Sequence, residues 1–193
     1  LSYRLPLFPL QTVVFPGGLL PLKIFEPRYM GMVTQAIADD LPFGICAIRE
    51  GRETEATAKF HQVGTLVRII DWDMPQTGIL HIQTHALERF VVRKSRSESN
   101  GLLVGEVDDV SAEAPTAIPA ELALATEILH QIIGELGLDK FAKPHDYNNA
   151  AWVSYRLSEV LPLKLSIRQN LLEMNDSVAR LAILTDFLKK QVN

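Results

Sequence analysis

At 193 residues the chain suits one ordinary domain, or a small strand-built module with a helical appendage, and it can bury a real core. A hydrophobic content of 47% and a charged content of 22% are those of a soluble globular protein. The net charge of −4 argues against a general phosphate-backbone binder, which carries a basic excess, and leaves room only for a local basic patch. The single cysteine, Cys46, cannot form an internal disulfide. No cationic leader with an apolar core opens the sequence and no apolar run approaches a membrane span, so a reducing cytoplasm is the expected compartment.

The stretch from Arg4 to Tyr29 holds two apolar runs, Leu5 to Leu10 and Leu19 to Phe25, with prolines at 6, 9, 16, 21 and 27. Each proline lacks an N–H and biases its predecessor toward extended backbone, which excludes a continuous helix. Two short strands at sheet edges or bulges are predicted instead, joined by a tight turn at Gly17-Gly18. Glu26 is placed to cap a helix whose first position is Pro27. That helix spans Arg28 to Asp39, with Met30, Val33 and Ile37 at helical spacing and Asp39-Asp40-Leu41-Pro42 as its stop.

Phe43 to Ile48 is a strand-like run containing Cys46, and Arg49 to Lys59 is a charged, solvated loop. Four β-type segments follow at short intervals: Thr65 to Asp71, Ile79 to His85, Arg89 to Ser95 and Leu102 to Val107. Asp73–Gly78 and Ser97–Gly101 are the turn-rich separators. At Ser111 to Pro119 the composition changes to that of a linker, and everything beyond it is helical. Ala120 to Leu136 carries the stripe Leu122, Ala125, Leu129, Ile132 and Leu136, and ends near Gly134 and Gly137. Asn148 to Leu161 holds Trp152, Val153, Leu157 and Val160. Ser166 to Met174 turns Ile167, Leu171 and Leu172 inward. Asp176 caps a last helix with the stripe Val178, Leu181, Leu184, Leu188 and Val192. The order is α+β: a β-rich region over residues 1–110, a linker at 111–119 and a helical subdomain over 120–193.

The run Leu5-Pro-Leu-Phe-Pro-Leu, then Val14-Phe-Pro-Gly, then Leu20-Pro-Leu-Lys-Ile-Phe-Glu-Pro-Arg-Tyr resembles the opening signature of the N-terminal, substrate-binding domain of the ATP-dependent Lon protease, protease La. Gly64-Thr-Leu-Val-Arg-Ile, Arg89-Phe-Val-Val, Leu171-Leu-Glu-Met and Arg180-Leu continue the resemblance in compatible order. It implies a PUA-like antiparallel β pseudo-barrel followed by a helical bundle that engages protein substrates without catalysis. No Gly-x-x-x-x-Gly-Lys-Ser/Thr phosphate loop and no catalytic serine motif with a partner lysine occurs in the sequence, so neither ATP hydrolysis nor peptide cleavage is expected. No cofactor is implied.

Other candidate sites give way to plainer readings. His81 and His85 have the spacing of a helical zinc pair, but Leu80-His-Ile-Gln-Thr-His-Ala alternates like a strand. Four strand residues span roughly 13 Å, too far for two ligands that must each approach an ion to about 2 Å. Cys46 sits in an apolar run and is read as an inert buried thiol. Asp71 and Asp73, at a predicted hairpin, are read as bonding local backbone rather than as an acid–base pair. His145-Asp146 is read as a helix entry rather than part of a triad with Ser154.

Arg89, Arg93, Lys94 and Arg96 cluster on one strand and its exit, and make the case for the alternative, an RNA-binding module of PUA-like type. Only Phe90 is interleaved, which leaves no stacking platform, so a charge-protected sheet edge is preferred. At the motif Phe25, Glu26, Pro27, Arg28 and Tyr29, Glu26 is expected to cap, Arg28 to fix the turn by hydrogen bonds, and Phe25 and Tyr29 to pack between strands and helix. The preferred function is a protein-binding module that takes unfolded or partner polypeptides in an apolar groove between barrel and helices. No membrane is involved, and the oligomeric state stays open.

Overall fold

The proline-rich opening forms two strands, β1 (Tyr3–Leu10) and β2 (Leu19–Ile24), in a computed structural model that describes residues 1–55 and 58–192, the last through its backbone. β1 pairs antiparallel with β7 (Leu103–Asp109) over Tyr3 to Leu7 and parallel with β3 (Phe43–Glu50) over Leu7 to Leu10. Each half of β1 thus has a single neighbour, so Pro6 and Pro9 can lack an N–H without costing a ladder bond. Between β1 and β2 the chain turns at Gly17, whose φ of 79° is open to glycine at no steric cost. Helix α1 (Pro27–Asp39) follows with Tyr29, Met32, Val33 and Ala36 buried.

The largest difference from the sequence reading lies in the middle of this region. Ile79–His85 and Arg89–Ser95 are not separate strands but parts of one 19-residue strand, β6 (Ile79–Ser97). The expected Asp73–Gly78 turn contracts to Thr77 and Gly78, because β5 (Val63–Gln76) continues through Asp73 and Pro75. Beyond Val67, where β3 leaves it, β6 is the partner of β5 among the described residues, which is where a proline is tolerated. β6 is long because it serves two partners in turn: β2 over Leu80–His85 and β7 over Phe90–Ser97. A two-residue strand, β4 (Lys59–Phe60), pairs with β3, so the loop expected over Arg49 to Lys59 gives its ends to β3 and β4; its residues 56–57 lie outside the described residues.

The pairings run β1-β7-β6-β5-β3 and return to β1 through its parallel pairing with β3, so the five strands form a ring. Leu5, Leu7, Cys46, Leu66, Phe90, Val92 and Val107 form one buried cluster. A second, larger one unites α1 with Phe8, Leu10, Val14, Ile24, Phe43, Ile45, Val67, Leu80 and Ile82. Gly64 allows the first cluster to close. A Cβ there would lie 2.4 Å from the Ile45 carbonyl oxygen and 2.7 Å from the Phe90 ring.

The chain divides into two units, Leu1–Ser111 and Ala112–Asn193. The second is helical: a 3-10 turn at Ala120–Leu122, then α2 (Ala123–Leu136), α3 (Ala150–Val160), α4 (Leu165–Glu173) and α5 (Ser177–Val192). α2 buries Ala125, Leu129 and Ile133, while Leu136 is exposed and Ile132 only half-buried, so its stripe is rotated from the expected one. α3 is the central helix, buried on nearly every side. Ser154 and Ser158 return their hydroxyls to the carbonyls of Ala151 and Ser154 at 3.1 and 2.8 Å. In α4, Leu171 and Leu172 are buried as expected but Ile167 is exposed. α5 buries Leu181, Leu184 and Leu188, and Asp176 accepts from the Ala179 N–H at 2.9 Å as its cap; the side chain of Val192 lies outside the described residues.

Buried charge organises this unit. Arg180, fully buried in α5, forms an ion pair with Glu113, lies 4.1 Å from the centre of the Tyr155 ring and donates to the Leu171 carbonyl at 3.2 Å. Tyr155 donates to the same carboxylate at 2.8 Å. Residues 113–117 are thereby tied into the helical unit, with Ala117 and Asn149 forming a β-bridge. Arg156, equally buried, reaches Glu159 at 2.7 Å. Loss of water pushes the Glu159 pKa up to about 7 against the pull of Arg156 and Arg168.

Candidate functional site

The corner from Phe25 to Tyr29 carries the chain from β2 into α1. Pro27 takes the first helical turn, where its missing N–H is no loss. Glu26 holds the N-cap position in extended geometry, but its side chain caps nothing. Its carboxylate accepts instead from Arg28 Nε at 3.0 Å, and the first helical amides, those of Tyr29 and Met30, bond to the Glu26 carbonyl. The charge-assisted bond from arginine outcompetes the expected cap. Arg28 Nη2 also donates to the Glu53 carbonyl at 3.1 Å, and the guanidinium lies 4.6 Å from the centre of the Tyr29 ring.

Tyr29 is buried against Phe8, ring centres 4.0 Å apart, and burial raises its phenol above the ordinary tyrosine range. Phe25 behaves otherwise than expected. It is 59% exposed, on the outside of the corner rather than packed between strand and helix. Here β2 ends and the chain swings outward into the cap position, which carries the ring away from the core.

Beside this corner lies a cleft of about 250 Å³, lined by Phe8, Leu10, Leu22, Ile24, Phe25 and Tyr29 on its apolar side and by Gln11, Glu53 and Thr54 on its polar side. The polar wall is fixed by cross-links: Glu53 Oε1 accepts from the Gln11 N–H at 2.6 Å, and Gln11 Nε2 donates to the Gly51 carbonyl at 3.0 Å. Sequence reading missed this wall. Glu53 and Thr54 stand in a charged stretch that gives no sign of being tied back onto the motif, although Gln11 directly after the apolar run was a usable hint.

The basic strand does not form one surface. Arg89 is 3% exposed and turned into the interior, and Arg93 is paired with Asp108 at 2.7 Å. Lys94 and Arg96 border a depression of about 420 Å³ together with Arg4 and Glu106. There Glu106 stands in register between Arg4 and Lys94, and Arg4 also pairs with Glu98 at 2.8 Å. The charges alternate across the sheet.

The family model of the ATP-dependent protease La (LON) substrate-binding domain matches residues 4–190. The chain belongs to this family. A crystal structure of a Lon N-terminal domain protein from Xanthomonas campestris is similar, with 33% identity, a TM-score of 0.78, and 94% of this chain and 96% of that one covered. The N-terminal domain of the Mycobacterium avium complex Lon protease shares the fold at 20% identity, with a TM-score of 0.69 over 95% and 97% of the two chains. The Lon protease of Anaeromyxobacter dehalogenans is 24% identical over 97% of this chain but only 23% of its own length. The chain thus spans about a quarter of the Lon proteases it matches, in their substrate-binding region and not in the ATPase and peptidase core.

The remaining candidates in this Lon-domain chain lie on β3, β5 and β6 and before α3. His81 and His85 lie on β6 opposite Lys23 and Leu19, in the extended geometry that keeps them apart. Among the described residues no group of three His, Cys, Asp or Glu side chains could hold a metal ion. Cys46 is a buried free thiol whose pKa desolvation drives far up, as an inert cysteine requires. Asp71 and Asp73 lie inside β5 and not at a hairpin turn; Asp71 accepts from the Trp72 N–H at 2.9 Å. The entry of α3 is capped by Asn149, whose side chain accepts from the Ala151 N–H, and not by His145-Asp146. His145 instead contacts the Phe141 carbonyl at 3.2 Å and stacks near Trp152 and Tyr147.

Proposed function

We propose that this chain is a non-catalytic binding module for unfolded or partner polypeptides, working from a PUA-like pseudo-barrel. The observation that carries the reading is the exposed Phe25 lining a partly apolar cleft inside the stretch that the Lon substrate-binding family model matches. An aromatic left outside a corner held by Arg28 and Tyr29 offers apolar area at low entropic cost, because only two side-chain torsions need be fixed. The closed ring of strands supports the pseudo-barrel, and a lone cysteine kept as a free thiol suits the cytoplasmic residence we propose with it.

A small cleft whose apolar side contributes by burial, at about 25 cal/mol per Å², gives weak recognition. Such binding tolerates moderate salt, whereas RNA binding weakens steeply as counterions are restored. Titrating a labelled, reduced unfolded protein and a structured RNA at two salt concentrations separates the two. Polypeptide binding that holds at the higher salt is expected. Salt-sensitive RNA binding with no polypeptide binding would overturn the proposal.

A further inference from the structure

We propose that the outer edge of β5 from Arg68 to Gln76 is a second polypeptide contact, taking an extended segment with Lys or Arg among apolar side chains as an added strand. This rests on the polypeptide-binding reading above and assigns it a surface and a ligand chemistry. β5 has β6 along one side for its whole length, while its pairing with β3 on the other side stops at Val67. The Arg68–Asp40 ion pair, at 3.2 Å, marks where the covered edge ends. Past that point no described strand pairs with the outer side of β5.

Three large apolar side chains, Ile70, Trp72 and Met74, are each about half exposed along this edge, Trp72 at 53%. Trp72 stands in register with Ile82 and Leu22. Asp71 and Asp73, on the opposite face, stand in the rows of Gln83 with Pro21 and of His81 with Lys23. These residues border a shallow depression of about 340 Å³. The edge is blunted at its ends by register shifts against β6 between Ile69 and Asp71 and between Asp73 and Gln76; within it the Asp71 carboxylate holds the Trp72 N–H, and Pro75 offers no N–H, so the regular stretch centres on Asp71 to Asp73.

Charge decides the occupant. A second copy laid antiparallel on β5 in the register centred on Trp72 would set Asp71 against Asp73, and like charges directly opposite are destabilising; the registers that would bring Arg68 opposite an Asp take it from its pairing with Asp40. Nucleic acid meets the same repulsion. An extended basic and apolar segment is matched on both counts, with backbone bonds giving affinity and alternate side chains giving specificity. β5 lies two strand spacings from β2, roughly 10 Å, so the cleft and the edge are adjacent passages for one unfolded chain.

The test uses the full chain and a fluorescein-labelled nine-residue peptide alternating Lys with Ile and Phe, followed by anisotropy. Its Glu counterpart and a version N-methylated at alternate amides serve as comparisons. The variants are Trp72→Ser/Met74→Ser and Asp71→Asn/Asp73→Asn, each checked for native far-UV circular dichroism; a reduced unfolded protein is titrated in parallel. The Lys peptide should bind at least about tenfold tighter than the Glu peptide, and each variant should weaken it about tenfold, as loss of a central aromatic anchor or of paired charge does. The N-methylated peptide should lose binding. Equal affinity for Lys and Glu peptides, or indifference to both variants, overturns the inference. If the unfolded protein binds but the Lys peptide does not, the edge assignment falls while the polypeptide-binding reading stands. If neither binds, both fall. A dimer that Asp71→Asn/Asp73→Asn strengthens, with no peptide binding, gives the edge to a second copy and overturns the inference.

Discussion

Replacing Arg180 by Met should unfold the helical unit far more easily, although it swaps a charged side chain for one of similar length and greater apolarity. Arg180 is fully buried and holds Glu113, while its guanidinium covers Tyr155 and donates to the Leu171 carbonyl. Removing it takes the guanidinium away from the Glu113 carboxylate, whose side chain is only 7% exposed and which also accepts from the Tyr155 hydroxyl. Breaking one side of such a buried pair costs about 3–5 kcal/mol. Replacing both partners, Arg180→Met with Glu113→Leu, removes the buried charge but takes a partner from the Tyr155 hydroxyl and from the Leu171 carbonyl, so the double variant should regain about half of the loss. Urea unfolding followed by Trp152 fluorescence in a Trp72→Phe background reports the helical unit alone. A loss below about 1 kcal/mol for Arg180→Met, or a double variant no better than the single one, would refute the reasoning.

Two glycine substitutions should move stability in opposite directions. Gly31→Ala, in α1 with nothing within 4 Å of the new Cβ, should stabilise by about 0.5–1 kcal/mol, whereas Gly64→Ala meets a backbone oxygen at 2.4 Å and should destabilise by about 1–3 kcal/mol; urea midpoints read both. The raised pKa of Glu159 gives a pH signature. Its folded value of about 7 lies above the ordinary carboxylate value, so the folded state binds more protons between the two, and stability falls as pH rises through that window and is flat above it. The full amplitude is about 3 kcal/mol, at roughly 1.4 kcal/mol per pKa unit, and Glu159→Gln should flatten the fall in denaturant midpoints measured from pH 5 to 8.

The architecture was legible where local physics decides it. Proline spacing in the opening runs, Gly17 at the turn and the apolar stripes of α3 and α5 all point the same way in sequence and structure. The long β5–β6 hairpin was not, because Asp73-Met-Pro-Gln-Thr-Gly78 has turn composition and only the missing outer neighbour of β5 makes it strand. Nor were the buried arginines. Arg180 finds its carboxylate 67 residues away, and no window of sequence shows that Arg89 points inward. At the site, the motif was legible and its side-chain roles only partly so. Tyr29 packs and Arg28 bonds as expected, but Glu26 serves Arg28, which is also held by the distant Glu53 carbonyl, and Phe25 faces out.

We propose binding of polypeptide at the cleft beside Phe25 and not at the basic strand. Isotope-labelled protein titrated with a reduced unfolded polypeptide and followed by amide NMR tests it residue by residue. Shifts are expected at Leu22, Phe25, Glu53 and Thr54, with Trp72 and Met74 following where the chain also reaches the β5 edge, Lys94 and Arg96 unmoved, and a weakened response at the cleft in Phe25→Ser. Shifts centred on Lys94 and Arg96, or a response in Phe25→Ser equal to that of the wild type, would contradict it.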